Sequence, residues 1–202
     1  IVDTHYAYVR VPRELDPLDF AEFDRRATPF YVVVTNVETG APEYIRIVDL
    51  IGQVDALRAS GSLPILSRPV PIGDARYLDG GVSDSVPFEW FAAQGYEKLI
   101  VVLTRDAGYV KKDAPSLLTD LALWRYPRVA ERMRRRRHDY NAAIERLREW
   151  EREGRAFVVR PSEPIAIKRL ERDPEKLQRV YALGRRDAFE IMPKLEEYLS
   201  RD

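Results

Sequence analysis

Two short apolar runs constrain this chain most: Phe30-Tyr-Val-Val-Val-Thr35, and the stretch from Lys98 through Leu99-Ile-Val-Val-Leu103 to Thr104. Each is rich in β-branched or aromatic side chains, and each is apolar without alternation. That pattern predicts strands covered on both faces. Helical patterns lie between the two runs. Asp49 to Ser60 places Ile51, Val54 and Leu57 on one face with Asp49 as a cap, and Pro87 to Gln94 has proline in its first turn and Gly95 past its end. Helix followed by strand is the rhythm of a layered α/β domain.

The rest of the chain adds detail to that frame. Residues 1–30, broken by Pro12, Pro17 and Pro29, read as irregular apart from a short helix near Asp19 to Arg26. Tyr44 to Val48 reads as the partner of the first run, across a turn containing Thr39-Gly40. Pro69 to Ile72, Gly73-Asp74 and Arg76 to Leu78 read as a hairpin. Ser116 to Glu153 predicts two helices with a break at Pro127. Arg155 to Arg160 predicts a third short strand. Pro174 to Leu199 predicts a long helix with Leu177, Val180, Tyr181 and Gly184 on one face and Phe189, Met192, Leu195 and Leu199 on another.

Composition excludes several chemistries. There is no cysteine, so disulfides and thiolate metal sites are out, which suits a reducing compartment. The two histidines, His5 and His138, leave little material for a Ser-His-Asp triad or a multi-histidine metal site. Lys plus Arg equals Asp plus Glu at 33 each, so no bulk charge draws the chain to nucleic acid. Neither apolar run approaches the roughly 20 residues of a membrane-spanning helix.

Asp79-Gly80-Gly81, at the end of the expected hairpin, is the segment most suggestive of chemistry. By itself Asp-Gly is a turn dipeptide, since glycine tolerates positive φ and aspartate hydrogen-bonds nearby backbone. The surrounding stretch narrows the reading. Residues Ala59, Ser60, Pro64, Tyr77, Asp79, Gly80, Gly81 and Pro87 fall in an Ala-Ser-x-x-x-Pro, hairpin, Tyr-x-Asp-Gly-Gly, proline-opened-helix order. That order resembles bacterial members of the patatin-like phospholipase family. Leu99 to Arg105, Asn141 and Arg160-Pro-Ser162 are similar to later features of those members. The resemblance runs from about Phe30 to the end and is most specific over residues 58–105.

The resemblance implies an α/β fold, a three-layer hydrolase core truncated at its start, with a mainly helical C-terminal portion. The implied division is 1–110 for the C-terminal part of the catalytic domain and 111–202 for a helical extension packed on it. It implies lipid acyl-ester hydrolysis, of phospholipase A or lipid acyl hydrolase type, through a Ser-Asp dyad in which Asp79 is the base, with Gly80 and Gly81 as its motif. No cofactor and no metal are required. The expected partner is a lipid or ester substrate, with no nucleic acid, and the expected location is cytoplasmic, with peripheral contact to a membrane. Two other readings stay open: a non-catalytic lipid- or partner-binding module of the same fold, and a general carboxylesterase.

Family members carry the serine in a Gly-x-Ser-x-Gly elbow. The serines here are Ser60, Ser62, Ser67, Ser83, Ser85, Ser116, Ser162 and Ser200, and none has glycine two positions away on both sides. Ser83 has Gly81 before it and Ser85 after it. The opening at Ile1, without methionine, predicts a piece of a longer product. The nucleophile is therefore expected in an N-terminal segment preceding Ile1, and the 202 residues alone are expected to be inactive.

Other features have plainer readings. Arg132 and Arg134 to Arg137 read as a solvated helix face balanced by Glu131, Asp139 and Glu145; their functional reading is a patch for anionic lipid. His138 reads as solvated, and Asp84 as a loop or cap residue. Trp124, Tyr126 and Trp150 read as core or helix-packing aromatics.

Overall fold

The computed structural model describes residues 3–112, 116–168 and 170–201. In chain order its elements are α1 (Phe20–Arg26), β1 (Phe30–Asn36), β2 (Pro42–Ile47), α2 (Val54–Ser60), β3 (Val70–Ile72), β4 (Ala75–Asp79), α3 (Phe88–Ala93), β5 (Leu99–Val102), α4 (Ser116–Ala122), α5 (Pro127–Arg152), β6 (Ala156–Val159) and α6 (Pro174–Ser200). A π-helix covers Tyr6–Leu15, and a single 3-10 turn covers Gly80–Val82. The fold is mixed α/β. The expectation of irregular structure across residues 1–30 is corrected by that π-helix. Pro12 falls inside it, where the wider i→i+5 bonding changes which N–H groups need a partner.

The chain forms two compact units, Ile1–Val86 with Lys112–Tyr140, and Pro87–Lys111 with Asn141–Asp202. The first is built on an antiparallel sheet in the order β2-β1-β4-β3. β1 is central: Val32 faces Ile45, and Val34 pairs with Glu43 on one side and Asp79 on the other. The pleat sends alternate side chains to opposite faces. Val32, Val34 and Tyr77 pack with Ala56 and Ala59 of α2 and with Phe23 of α1. Leu78 points the other way and packs with Val37, Val82, Leu123, Val129 and Ala130, beneath α5. Helices thus cover both faces of this sheet, as the continuous apolarity of β1 requires.

The turns have local causes. Asn36 accepts hydrogen bonds from the Glu38 and Thr39 amides through Oδ1, closing the β1–β2 hairpin. Asp49 caps a turn through the Ile51 and Gly52 amides rather than starting a helix, so α2 begins only at Val54. Asp19 caps α1 by accepting from the Glu22 amide, and Asp173 caps α6 ahead of Pro174.

The second unit is organised on a parallel pair, β5 and β6, in register Leu99↔Ala156 to Val102↔Val159. The Tyr198 hydroxyl of α6 accepts from the Leu99 amide at 3.1 Å and lies 3.1 Å from the Arg155 carbonyl, so it closes the pair at one end. Phe88 meets Trp150 edge to face at 4.9 Å, and Arg146 grips Glu89 with two bonds of 2.8 and 2.9 Å. Asn141 brackets Lys111 by accepting from its amide and donating to its carbonyl.

The expectation that the Leu99 run is covered on both faces is corrected. Leu99, Ala156 and Val158 are buried, but Ile100 and Val102 are 45% and 71% exposed. Ile100 and Val102 leave their side of β5 largely open, although Phe157 beside Ile100 meets the Tyr198 ring at 5.5 Å. The long helix α6 departs from its reading in the same way: Leu177, Tyr181, Phe189, Met192 and Leu199 are exposed, and Asp187 and Tyr198 are its buried residues.

Candidate functional site

Asp79 ends β4, where antiparallel pairing with β1 stops at Val34↔Asp79. Its backbone is held on both sides. Its amide donates to the Ser62 carbonyl at 2.9 Å, and its carbonyl accepts from Thr35 Oγ1 at 2.8 Å. Thr35 is fully buried and its hydroxyl also meets Ser83 Oγ at 2.8 Å. One buried hydroxyl therefore ties the strand end to the loop that follows.

The carboxylate is set by the turn beneath it. Asp79 Oδ1 accepts from the Gly81 amide at 2.8 Å, capping the Gly80–Val82 turn. Oδ2 receives no hydrogen bond from any described residue, and Asp79 is only half-buried. A carboxylate with one oxygen fixed and the other open is geometrically suited to accept a proton from a group brought to it.

The two glycines have different causes, and positive φ is neither of them. Neither adopts a positive φ; the glycines that do are Gly40, Gly73, Gly95 and Gly154. Gly80 is required by contact: a Cβ there would lie 2.3 Å from the Val33 carbonyl oxygen and 2.7 Å from Val33 Cβ. Gly81 sits in a looser place. A Cβ there would lie 3.2 Å from Asp79 Oδ1 and 3.4 Å from Arg136 Nη2. The side chain excluded at Gly81 is thus one that would crowd the carboxylate.

Arg136 is a neighbour of the Asp79 turn that the reading of the arginine run missed. Its Nε donates to the Gly81 carbonyl at 2.6 Å, and Ser85 Oγ donates to the same oxygen at 2.7 Å. One helical turn earlier, Arg132 Nε donates to the Gly40 carbonyl at 2.9 Å. The solvated-face reading is corrected for these two half-buried residues and holds for Arg134 and Arg135, which are exposed. Of the expected counter-charges, Glu131 pairs with Arg128 and Glu145 with Arg148. The signal was present in the sequence: Val129, Ala130 and Met133 mark the buried face of α5, and Arg132 and Arg136 flank it at helical spacing.

Asp84 accepts from the Tyr44 hydroxyl at 2.6 Å and the Val86 amide at 3.3 Å, a loop-stabilising role as read. His138 is 80% exposed beside Asp139. Trp124, read as a packing aromatic, is 72% exposed with Arg125 over its ring, whereas Tyr126 packs on the core below α5.

No described serine hydrogen-bonds to the Asp79 carboxylate. Ser62 Oγ donates to the Arg58 carbonyl, Ser83 is joined to Thr35, and Ser85 to Gly81. A different serine–carboxylate pair exists in the second unit, where Ser162 Oγ and amide both bond Asp187 at 2.8 Å. These bonds, led by that of the Ser162 amide, hold the Asp187 carboxyl below the usual carboxylate range, and Arg186 adds to the effect. A carboxylate so well satisfied is a weak base, and the pair acts as a clamp between the strand end and α6. Among the described residues, no three His, Cys, Asp or Glu side chains are grouped to hold a metal ion, and no helix is long and apolar enough to cross a membrane.

The chain thus combines a mixed α/β fold with an Asp-Gly-Gly turn at a strand end. The patatin-like phospholipase family model matches residues 1–92, so that segment is similar to the patatin-like phospholipase family. The match begins ahead of Phe30 and ends within α3. A second model, a domain of unknown function (DUF6363), matches residues 126–200. Over 76 residues the chain is 34% identical to the uncharacterized protein YjjU of Escherichia coli K12, a stretch covering 37% of this chain and 21% of that protein. The chain thus spans about a fifth of the relative it matches.

Proposed function

We propose that this chain supplies the base of a patatin-like lipid acyl hydrolase, with Asp79 as the acid–base partner of a serine that lies outside these 202 residues. The observation carrying the reading is the Asp79 carboxylate itself, fixed through Oδ1 by the Gly81 amide and with Oδ2 unbonded among the described residues, within the segment that matches the family.

In this reading the serine hydroxyl attacks the ester carbonyl while Asp79 accepts its proton. The tetrahedral intermediate collapses, and the protonated Asp79 returns the proton to the leaving alcohol. Water then adds to the acyl carbonyl as Asp79 removes its proton, and on collapse the protonated Asp79 returns that proton to the serine oxygen while the acyl group leaves as a carboxylic acid. Each step balances without a metal or a redox partner. The substrate is an acyl ester of a lipid, and the active protein includes the segment bearing the serine.

The test uses the longer gene product that carries this chain. Asp79→Asn is expected to lower turnover of a long-chain phospholipid roughly 10²–10⁴-fold, the usual contribution of a positioned base. Unchanged turnover sinks the dyad reading. Higher turnover of short-chain soluble esters than of phospholipid favours a general carboxylesterase.

A second reading is supported by one observation: no described serine hydroxyl hydrogen-bonds to the Asp79 carboxylate. In it the fold is kept as a non-catalytic lipid- or partner-binding module. Intact-mass analysis after fluorophosphonate treatment separates the two, because only the hydrolase form of the longer product gains one stoichiometric adduct.

A further inference from the structure

Gly81 lies at the centre of the candidate site, and a residue without Cβ constrains its own backbone least. Glycine explores backbone conformations that other residues cannot, so its peptide groups point where hydrogen bonds hold them. Gly81 is held at both ends. Its amide meets Asp79 Oδ1 at 2.8 Å, and its carbonyl takes two donors, Arg136 Nε at 2.6 Å and Ser85 Oγ at 2.7 Å. The hold from Ser85 is local, four residues along the same loop. The hold from Arg136 comes from α5, 55 residues away in sequence. The guanidinium also lies on the carboxylate's side of the glycine: Arg136 Nη2 and Asp79 Oδ1 both fall within 3.4 Å of the point a Gly81 Cβ would occupy.

We infer that Arg136 is a positioning residue for the Asp79 base, reaching from α5 to fix Gly81 and through it the carboxylate oxygen left open. The inference rests on the dyad reading proposed above. It gives a role to a helix matched by the domain of unknown function rather than by the patatin-like model. The part of α5 that lies in the first unit then contributes to the loop carrying Asp79.

The reason for arginine is geometric. A guanidinium is planar, with donors on a fixed fork, so Nε can bond the carbonyl while an Nη group stays directed toward the carboxylate's side. Lysine offers a single compact ammonium on a flexible stem and restores the bond or the placement of charge, but not both.

Arg132 provides the internal control. It makes the same kind of bond from the same helix, to Gly40, and takes no part in the Asp79 loop. The experiment compares Asp79→Ala, Arg136→Gln, Arg136→Lys and Arg132→Gln in the longer gene product, with kcat, KM and thermal melting measured for each. Arg136→Gln is expected to lower kcat by about ten- to a hundredfold with KM within about twofold, since a small misplacement of a reacting group has costs of that order. Arg136→Lys should recover part of that loss, and Arg132→Gln should lower the melting temperature without changing kcat.

Full activity of Asp79→Ala would overturn the dyad reading itself. An inactive Asp79→Ala alongside a fully active Arg136→Gln would overturn this inference alone. If Arg136→Gln does not fold, Arg136→Lys decides the matter, and wild-type kcat in that folded variant overturns the inference. Equal loss of kcat in Arg132→Gln and Arg136→Gln would also overturn it, because both arginines would then be merely structural.

Discussion

Gly80 lies so close to Val33 that a Cβ on it would sit 2.3 Å from the Val33 carbonyl oxygen and 2.5 Å from the carbonyl carbon. The obstacle is backbone in the central strand, not the movable end of a side chain. Gly80→Ala must therefore separate the turn from β1 and disturb the Val34↔Asp79 pairing beside it. We expect a destabilisation of about 3 kcal/mol, at the upper end for overpacking, measured by urea denaturation.

Gly81→Ala should behave differently. Its nearest obstacles are Asp79 Oδ1 at 3.2 Å and Arg136 Nη2 at 3.4 Å, both at side-chain ends that can yield. The variant is expected to melt within a few degrees of wild type yet lose about tenfold or more of its turnover, because the carboxylate is displaced. Equal stability losses in the two glycine variants would contradict this division of labour.

The contrast between the glycines marks how far the sequence could be read. The hairpin of β3 and β4 and the position of Asp79 at its end follow from local signals: alternation, a Gly-Asp turn, and a tyrosine and leucine facing opposite sides. The steric need for Gly80 does not, because Val33 lies 47 residues before it and only the β1–β4 pairing brings them together. The arginine run shows the same limit. Its composition suggests one solvated surface, whereas the helical period divides it into exposed Arg134 and Arg135 and half-buried Arg132 and Arg136. The uncovered face of β5 was illegible for another reason. Apolarity of a strand records what its two faces can tolerate, and Ile100 and Val102 are left 45% and 71% exposed.

Tyr77 predicts a signature in alkali. Burial, and then its hydrogen bond to Glu43 Oε2, push its phenol from 10.0 up to about 12. The folded chain keeps this proton while the unfolded chain loses it, so stability falls as pH rises from about 10 through about 12. The contribution is fully present below pH 10 and amounts to roughly 3 kcal/mol. Tyr77→Phe, which retains the ring, should flatten that part of the stability curve relative to wild type. An unchanged difference between pH 9 and 12 would place the effect elsewhere.

Asp187 predicts the opposite sign in acid. Its carboxyl is held below the usual carboxylate range by the Ser162 amide first, with the Ser162 hydroxyl and Arg186 adding to it. A depressed value means that the folded state binds its proton less readily than the unfolded state. The stabilisation is therefore present above the unfolded value near 3.9 and is lost as pH falls through the folded one. Asp187→Asn keeps the shape but removes the charge, so its stability should vary less than wild type between about pH 5 and 2. It should also cost about 1–3 kcal/mol at neutral pH, as expected for charge-assisted bonds at a buried carboxylate. Ser162→Ala removes the hydroxyl but leaves the amide bond, the larger cause, in place. Its acid transition should consequently stay closer to wild type than that of Asp187→Asn, and the reverse order would show that the hydroxyl, not the backbone, governs the clamp.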